Sequence, residues 1–166
     1  MKTRSITQAA VIAACYTALN LLAAAVPALG TLAFGPLQVR LAEGLTVLPF
    51  LFPAAVPGLA LGCLVSNLLG AAFGLGGGPL DVLFGTLATL LAALLTARCR
   101  RAALAPLPPV LLNGLVVSGA LALTLKLPYL PTAAAVTLGE ALACYGLGYP
   151  LLRYLVKRPD LLEKLK

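Results

Sequence analysis

The chain has 166 residues, of which 61% are hydrophobic and 10% charged, with a mean hydropathy of +1.02. Soluble domains carry roughly 25% charged residues, so this composition excludes an ordinary soluble fold, and no connecting segment exceeds about a dozen residues, which leaves no room for an appended nucleotide-binding domain. A net charge of +7 raises nucleic acid as a partner, but the basic residues gather at the ends of apolar stretches and not along one exposed face, the distribution of a membrane protein.

Six apolar stretches, each about 17–23 residues long, match the length a helix needs to cross hydrocarbon. The first predicted helix covers about 6–26, opened by Lys2 and Arg4. In it Ala9 and Ala13, and Ala10, Ala14 and Ala18, recur at a spacing of four. Small residues so placed let another helix approach closely, whether from a partner or from the same chain. Ile12-Ala13-Ala14-Cys15 looks like a lipoprotein cleavage box. The apolar run before it is broken by Thr7 and Gln8 and falls short of a secretory core of roughly 7–15 residues, so processing there is not expected.

A loop rich in Gly and Pro at 27–38 leads to a second helix at about 41–55. Pro49 and Pro53 predict that it kinks or ends early, because proline removes a helix hydrogen bond. Only Ala55-Val56-Pro57 separates it from the third helix, about 58–73, so these two are antiparallel neighbours. Gly58 and Gly62 give that helix a weaker small-residue stripe. The run 74–79 is too glycine-rich for a helix. It also lacks the Lys-Ser/Thr pair of a phosphate-binding loop. The fourth helix, about 80–97, ends in Arg98-Cys99-Arg100-Arg101. Pro106, Pro108 and Pro109 open the fifth, about 109–125, since proline suits a first helical turn. Lys126, Pro128 and Pro131 precede the sixth, about 132–155, which ends in Arg153, Lys157, Arg158 and a short amphipathic tail.

Six spans place both termini on one side. That side collects ten of the twelve basic residues, and the other holds Arg40 and Lys126. The excess predicts cytoplasmic termini, with the loops at 27–39 and 74–79 outside. The expected fold is therefore an all-α membrane protein, one integral domain of six transmembrane helices.

Function is sought among the few polar groups inside those helices. An ionisable side chain at bilayer depth costs about 2.5–3.5 kcal/mol even on the lenient insertion scale. Glu140 sits about nine residues into the last helix, roughly 13 Å at helical rise. It is a ligand contact or a structural partner to a neighbouring helix. Arg40 and Glu43, three apart, share a helix face and could bind ligand or pair with each other. Asp81 opens the fourth helix, where the dipole favours a carboxylate in any case. Asn67 falls at the level of Glu43, Asp81 and Glu140. Asn113 starts nearer the cytoplasm and ranks lower, since helix–helix hydrogen bonding is the default for such residues. Gln38 belongs to the outer loop and can close over a ligand. Phe34, Phe73, Tyr129 and Tyr145 are available aromatics, of which Tyr145 joins the candidate ligand contacts. Carboxylates and amides suit the donor-rich edge of a guanine-like base and rings suit its face, although other polar ligands fit the same set.

Cys15, Cys63, Cys99 and Cys144 are scattered and there is no histidine, so no zinc or haem spacing exists and no cofactor is expected. Without histidine, and with no Ser or Cys beside a plausible base, an intramembrane enzyme is not expected either. An ion-coupled secondary transporter with Glu140 as proton carrier is the alternative to a binding subunit. The absence of an obvious internal repeat weakens it.

The segments FGPLQVRLAEGLTVLPFLFPAAVPGLALGCLVSNLLG (34–70), PLDVLFGTLATLLAALLT (79–96), PLPPVLLNGLVV (106–117) and LGEALACYGLGYPLL (138–152) resemble the QueT family, the substrate-binding S components of energy-coupling factor (ECF) transporters. The resemblance implies an S-component-like six-helix bundle in a bacterial plasma membrane. It implies a queuosine precursor or related 7-deazaguanine base as cargo, and energy from a membrane coupling protein with two ABC-type ATPases. In similar S components an Ala-x-x-x-Ala stripe on the first helix meets the coupling protein. Ala9 with Ala13, and Ala10 with Ala14, match that pattern.

Overall fold

The computed structural model describes residues 3–26, 30, 38–75 and 78–165. Lys2, most of the loop expected at 27–38 with Phe34, Gly76, Gly77 and Lys166 lie outside the described residues. All regular structure among the described residues is helical. In chain order, α1 is Thr3–Ala25, α2 is Leu41–Phe50, α3 is Ala55–Ala72 and α4 is Gly78–Thr96. A turn at Ala102–Leu104 precedes α5, in which Leu107–Leu112, Asn113–Val117 and Ser118–Leu125 run on as one rod. Likewise Tyr129–Ala143, Cys144–Gly148 and Tyr149–Val156 make up α6, and Pro159–Leu165 is α7. Five of these helical stretches are long and apolar enough to cross a membrane, and α2 is apolar but shorter.

The second span departs from its expected limits of 41–55. It is a ten-residue 3₁₀ helix with Pro49 inside it. The i to i+3 pattern shows at both ends, in Glu43 N–H to Arg40 O at 3.0 Å and Leu51 N–H to Leu48 O at 2.9 Å. Tighter winding lengthens the rod, since at about 2.0 Å per residue ten residues cover roughly 20 Å rather than 15 Å. Seven of its ten residues are buried, Glu43 and Thr46 among them. This strand of helix therefore threads the bundle interior, and its polar side chains must find partners there.

Two other helices contain a wider turn: Asn113–Val117 in α5 and Cys144–Gly148 in α6 are π-helical. Such turns add a residue to the helical cycle and re-aim the side chains that follow, and they recur at functional sites. Here they begin at Asn113 and Cys144, both buried.

Close packing of α1 on α3 rests on small residues. A Cβ added to Gly58 would lie 2.7 Å from the Ala9 carbonyl oxygen, and one added to Gly62 would lie 3.0 Å from that of Ala13. Ala9 is buried, whereas Ala10, Ala14 and Ala18 are exposed. The core beneath this contact is built around Tyr16, Leu59, Cys63 and Phe52. Arg4, Thr7 and Gln8 of α1 line one groove with Leu151 and Leu155 of α6, which places the start of α1 and the end of α6 at the same end of the bundle. The turn with Arg98, Arg100 and Arg101 lies at that end too, because Ala105 packs against Leu152. Arg40, at the start of α2, lies toward the opposite end beside Asp81.

Candidate functional site

The buried polar side chains of six helices meet in one cluster with two halves. In the first, Arg40 enters just ahead of α2 and points into the gap between α3 and α4. Its Nη2 pairs with Asp81 Oδ2 at 3.0 Å, and its Nη1 donates to Asn67 Oδ1 at 3.1 Å. Asn67 Nδ2 donates in turn to the Asp81 carbonyl at 3.1 Å and approaches Cys63 Sγ at 3.4 Å. All three side chains are at least nine-tenths buried. A planar guanidinium suits this role, because it can bond a carboxylate and an amide at once in fixed geometry.

In the second half, Glu43 lies one 3₁₀ turn beyond Arg40, where residues three apart eclipse. The Tyr16 hydroxyl donates to Glu43 Oε1, and Asn113 Nδ2 reaches Glu43 Oε2 at 3.5 Å. Asn113 also approaches the Glu140 carboxyl. Cys144 Sγ lies 3.5 Å from the Glu43 carbonyl and 3.8 Å from Glu140 Oε2. Thr46 closes the group, donating to the Glu43 carbonyl at 2.6 Å and contacting Cys144 Sγ at 3.5 Å. Glu43 and Glu140 are thus buried neighbours joined through Asn113 and Cys144.

Gln38 precedes both halves. It is buried with φ of 46°, a left-handed backbone that non-glycine residues seldom adopt. Neither atom of its amide has a hydrogen-bond partner among the described residues. A buried amide normally finds partners.

Of the expected contacts, Arg40, Glu43, Asn67, Asp81 and Glu140 fall in the cluster, with Gln38 two residues before Arg40. Tyr145 does not. It is partly exposed, its hydroxyl donates to the Ala103 carbonyl at 3.3 Å, and its ring leans on Tyr149 toward the basic turn. The alanine stripe divides between two surroundings. Ala9 and Ala13 meet Gly58 and Gly62 within the chain, leaving Ala10 and Ala14 as the exposed half.

The sequence reading passed over Tyr16, Thr46 and Cys144 and ranked Asn113 low. A signal for Tyr16 existed. It lies seven residues after Ala9 and three after Ala13, on the same face of α1 as that stripe, and Asn20 continues the face to Ser66 at 3.2 Å.

A separate cleft lies elsewhere. It is an apolar groove of about 480 Å³ at the end carrying the termini, lined by α1, α2 and α6. Apolar lining in a membrane protein needs no ligand, whereas buried charges do need partners. The polar cluster is therefore the stronger candidate site.

A bundle of apolar helices that buries a cluster of charged and amide side chains is the architecture of a small multi-pass membrane protein. A profile of the QueT transporter family matches residues 6–157, nearly the whole chain, and the chain belongs to that family. The family is one of transporters, not enzymes. No curated relative and no solved structure matches the chain.

Proposed function

We propose that the chain is the substrate-binding S component of an ECF-type importer in a bacterial plasma membrane, and that it takes up a queuosine precursor, a 7-deazaguanine base. Family membership supports the cargo class. The observation that carries the site is the convergence of Arg40, Glu43, Asn67, Asp81, Asn113 and Glu140 within a single buried cluster. Both termini lie in the cytoplasm on this reading, where the basic residues gather. The cluster then lies toward the outer end, with Gln38 above it, and ligand enters from outside. Carboxylates accept from the ring N–H groups, and amides offer both donors and acceptors. The chain has no tryptophan, so stacking on the base falls to Tyr, Phe or Arg. No covalent chemistry is involved. Energy comes from a membrane coupling protein and two ABC-type ATPases, and the exposed Ala10, Ala14 and Ala18 of α1 form the contact with that partner.

Uptake of the labelled base into proteoliposomes tests this reading. Transport should require ATP and the partner subunits. Uptake by the chain alone, driven by an ion gradient, would make it a secondary transporter instead.

A further inference from the structure

The bundle is thinner where α2 stops. Ten residues of 3₁₀ helix cover roughly 20 Å, short of the roughly 30 Å of hydrocarbon in a bilayer, and α2 ends at Phe50. At that end α1 and α6 flank the apolar groove of about 480 Å³, with Leu48 and Phe52 among its walls. The lining is graded. Along α1 it passes from Arg4 through Thr7 and Gln8 to Val11 and Ile12, about 12 Å of helix measured inward from its start. Polar side chains therefore stand at the mouth and apolar ones lie deeper, joined there by Leu151 and Leu155 of α6. Val11 is 55% exposed, so the groove also opens sideways to the hydrocarbon.

This end of the molecule is strongly basic. Arg4, the turn with Arg98, Arg100 and Arg101, and the α6 end with Arg153, Lys157 and Arg158 gather there. Of the five acidic residues, Glu43, Asp81 and Glu140 are in the buried cluster, which leaves Asp160 and Glu163 on α7. We propose that the groove binds one anionic phospholipid, with the phosphate at the mouth beside Arg4 and one acyl chain along Val11, Ile12, Phe52 and Leu155. A phospholipid has the same gradient in the same direction, an anionic head at the membrane surface and an apolar chain running inward. Basic side chains near the surface favour anionic lipid over zwitterionic lipid. Water gains little between apolar walls, and a protein helix lying across the mouth has no use for a gradient that runs down the groove. The site is separate from the polar cluster and does not depend on the identity of the cargo.

Native mass spectrometry of the purified chain in detergent, titrated with dioleoyl phosphatidylglycerol, dioleoyl phosphatidylcholine or glycerol 3-phosphate, tests the proposal. Phosphatidylglycerol should bind at one per chain and at least about fivefold tighter than phosphatidylcholine, the effect of one basic side chain near an anionic surface. Glycerol 3-phosphate should neither bind nor displace it. Arg4→Gln should bring the two lipids to within about twofold of each other. Val11→Trp fills the groove and should weaken both lipids by about fivefold or more. The comparison of lipids on the parent chain stands whether or not the variants fold. Equal binding of the two lipids by the parent would overturn the proposal, as would unchanged binding by folded Val11→Trp. Displacement by glycerol 3-phosphate would make this a site for a free phosphate and overturn the lipid. Absence of bound lipid, with a cysteine at position 11 protected from labelling by the coupling subunit, would give the groove to a protein partner instead.

Discussion

Tyr16 of α1 and Glu43 of α2 are tied hydroxyl to carboxylate, both fully buried, where the two helices cross. The bond fixes the central 3₁₀ rod against the first membrane helix and holds one oxygen of the acid in place. Tyr16→Phe keeps the ring and removes the donor. The variant should lose about 1.5–3 kcal/mol of stability, the range for hydrogen bonds to charged groups. Denaturation in detergent micelles measures the loss, and a double-mutant cycle with Glu43→Gln should show coupling of about 1 kcal/mol or more. Independent, additive losses would mean that the two side chains do not act as a pair.

The Arg40–Asp81 pair predicts an asymmetry. Removing one partner leaves a buried charge uncompensated and costs about 3–5 kcal/mol, while replacing both with apolar residues often costs less. Asp81→Asn should therefore unfold at a lower temperature than the double variant Arg40→Met, Asp81→Leu. Thermal unfolding of the two purified proteins checks the order, and the reverse order would place the stabilising role of Asp81 elsewhere, such as at the α4 N-terminus.

Much of this cluster was legible in the residues because charge inside an apolar helix is conspicuous whatever the fold. Arg40, Glu43, Asn67, Asp81 and Glu140 stood out on that ground alone. What could not be read was rotation about each helix axis. Tyr145 lies one residue after Cys144, inside a π-helical turn, and that turn directs Cys144 inward while Tyr145 stays partly exposed. Asn113 starts the other π-helical turn and is carried into the centre. Neither turn has a propensity signature. The shortening of α2 was half legible, since Pro49 and Pro53 announced a break, but the 3₁₀ winding that lets ten residues span the interior depends on tertiary packing.

The two faces of α1 should behave differently. Gly58→Ala places a methyl 2.7 Å from the Ala9 carbonyl oxygen and should destabilise the isolated protein by about 1–3 kcal/mol. Ala14→Trp adds its bulk on an exposed face and should leave folding and ligand titration unchanged. It should nevertheless abolish pull-down of the coupling subunit. Retained assembly and transport in Ala14→Trp would remove the exposed alanines from the partner interface.

Membrane orientation can be read from Cys99, in a chain whose other three cysteines are replaced by alanine. The proposed topology predicts no labelling by an impermeant thiol reagent added to intact cells, and labelling in inverted vesicles. Burial raises the Cys99 thiol above its ordinary pKa. Because the thiolate is the reactive form, labelling in inverted vesicles should be slow at neutral pH and accelerate as pH rises. Modification from outside intact cells would invert the topology.

The claim at the centre of this account is that the buried cluster holds a 7-deazaguanine base. Mass spectrometry of the small molecules released by denaturing freshly purified protein, expressed in cells supplied with such bases, measures this most directly. The account predicts a 7-deazaguanine, recovered at close to one per chain from the parent and strongly depleted from Glu140→Gln. Recovery of a different metabolite at that stoichiometry, or equal recovery from parent and variant, would contradict it.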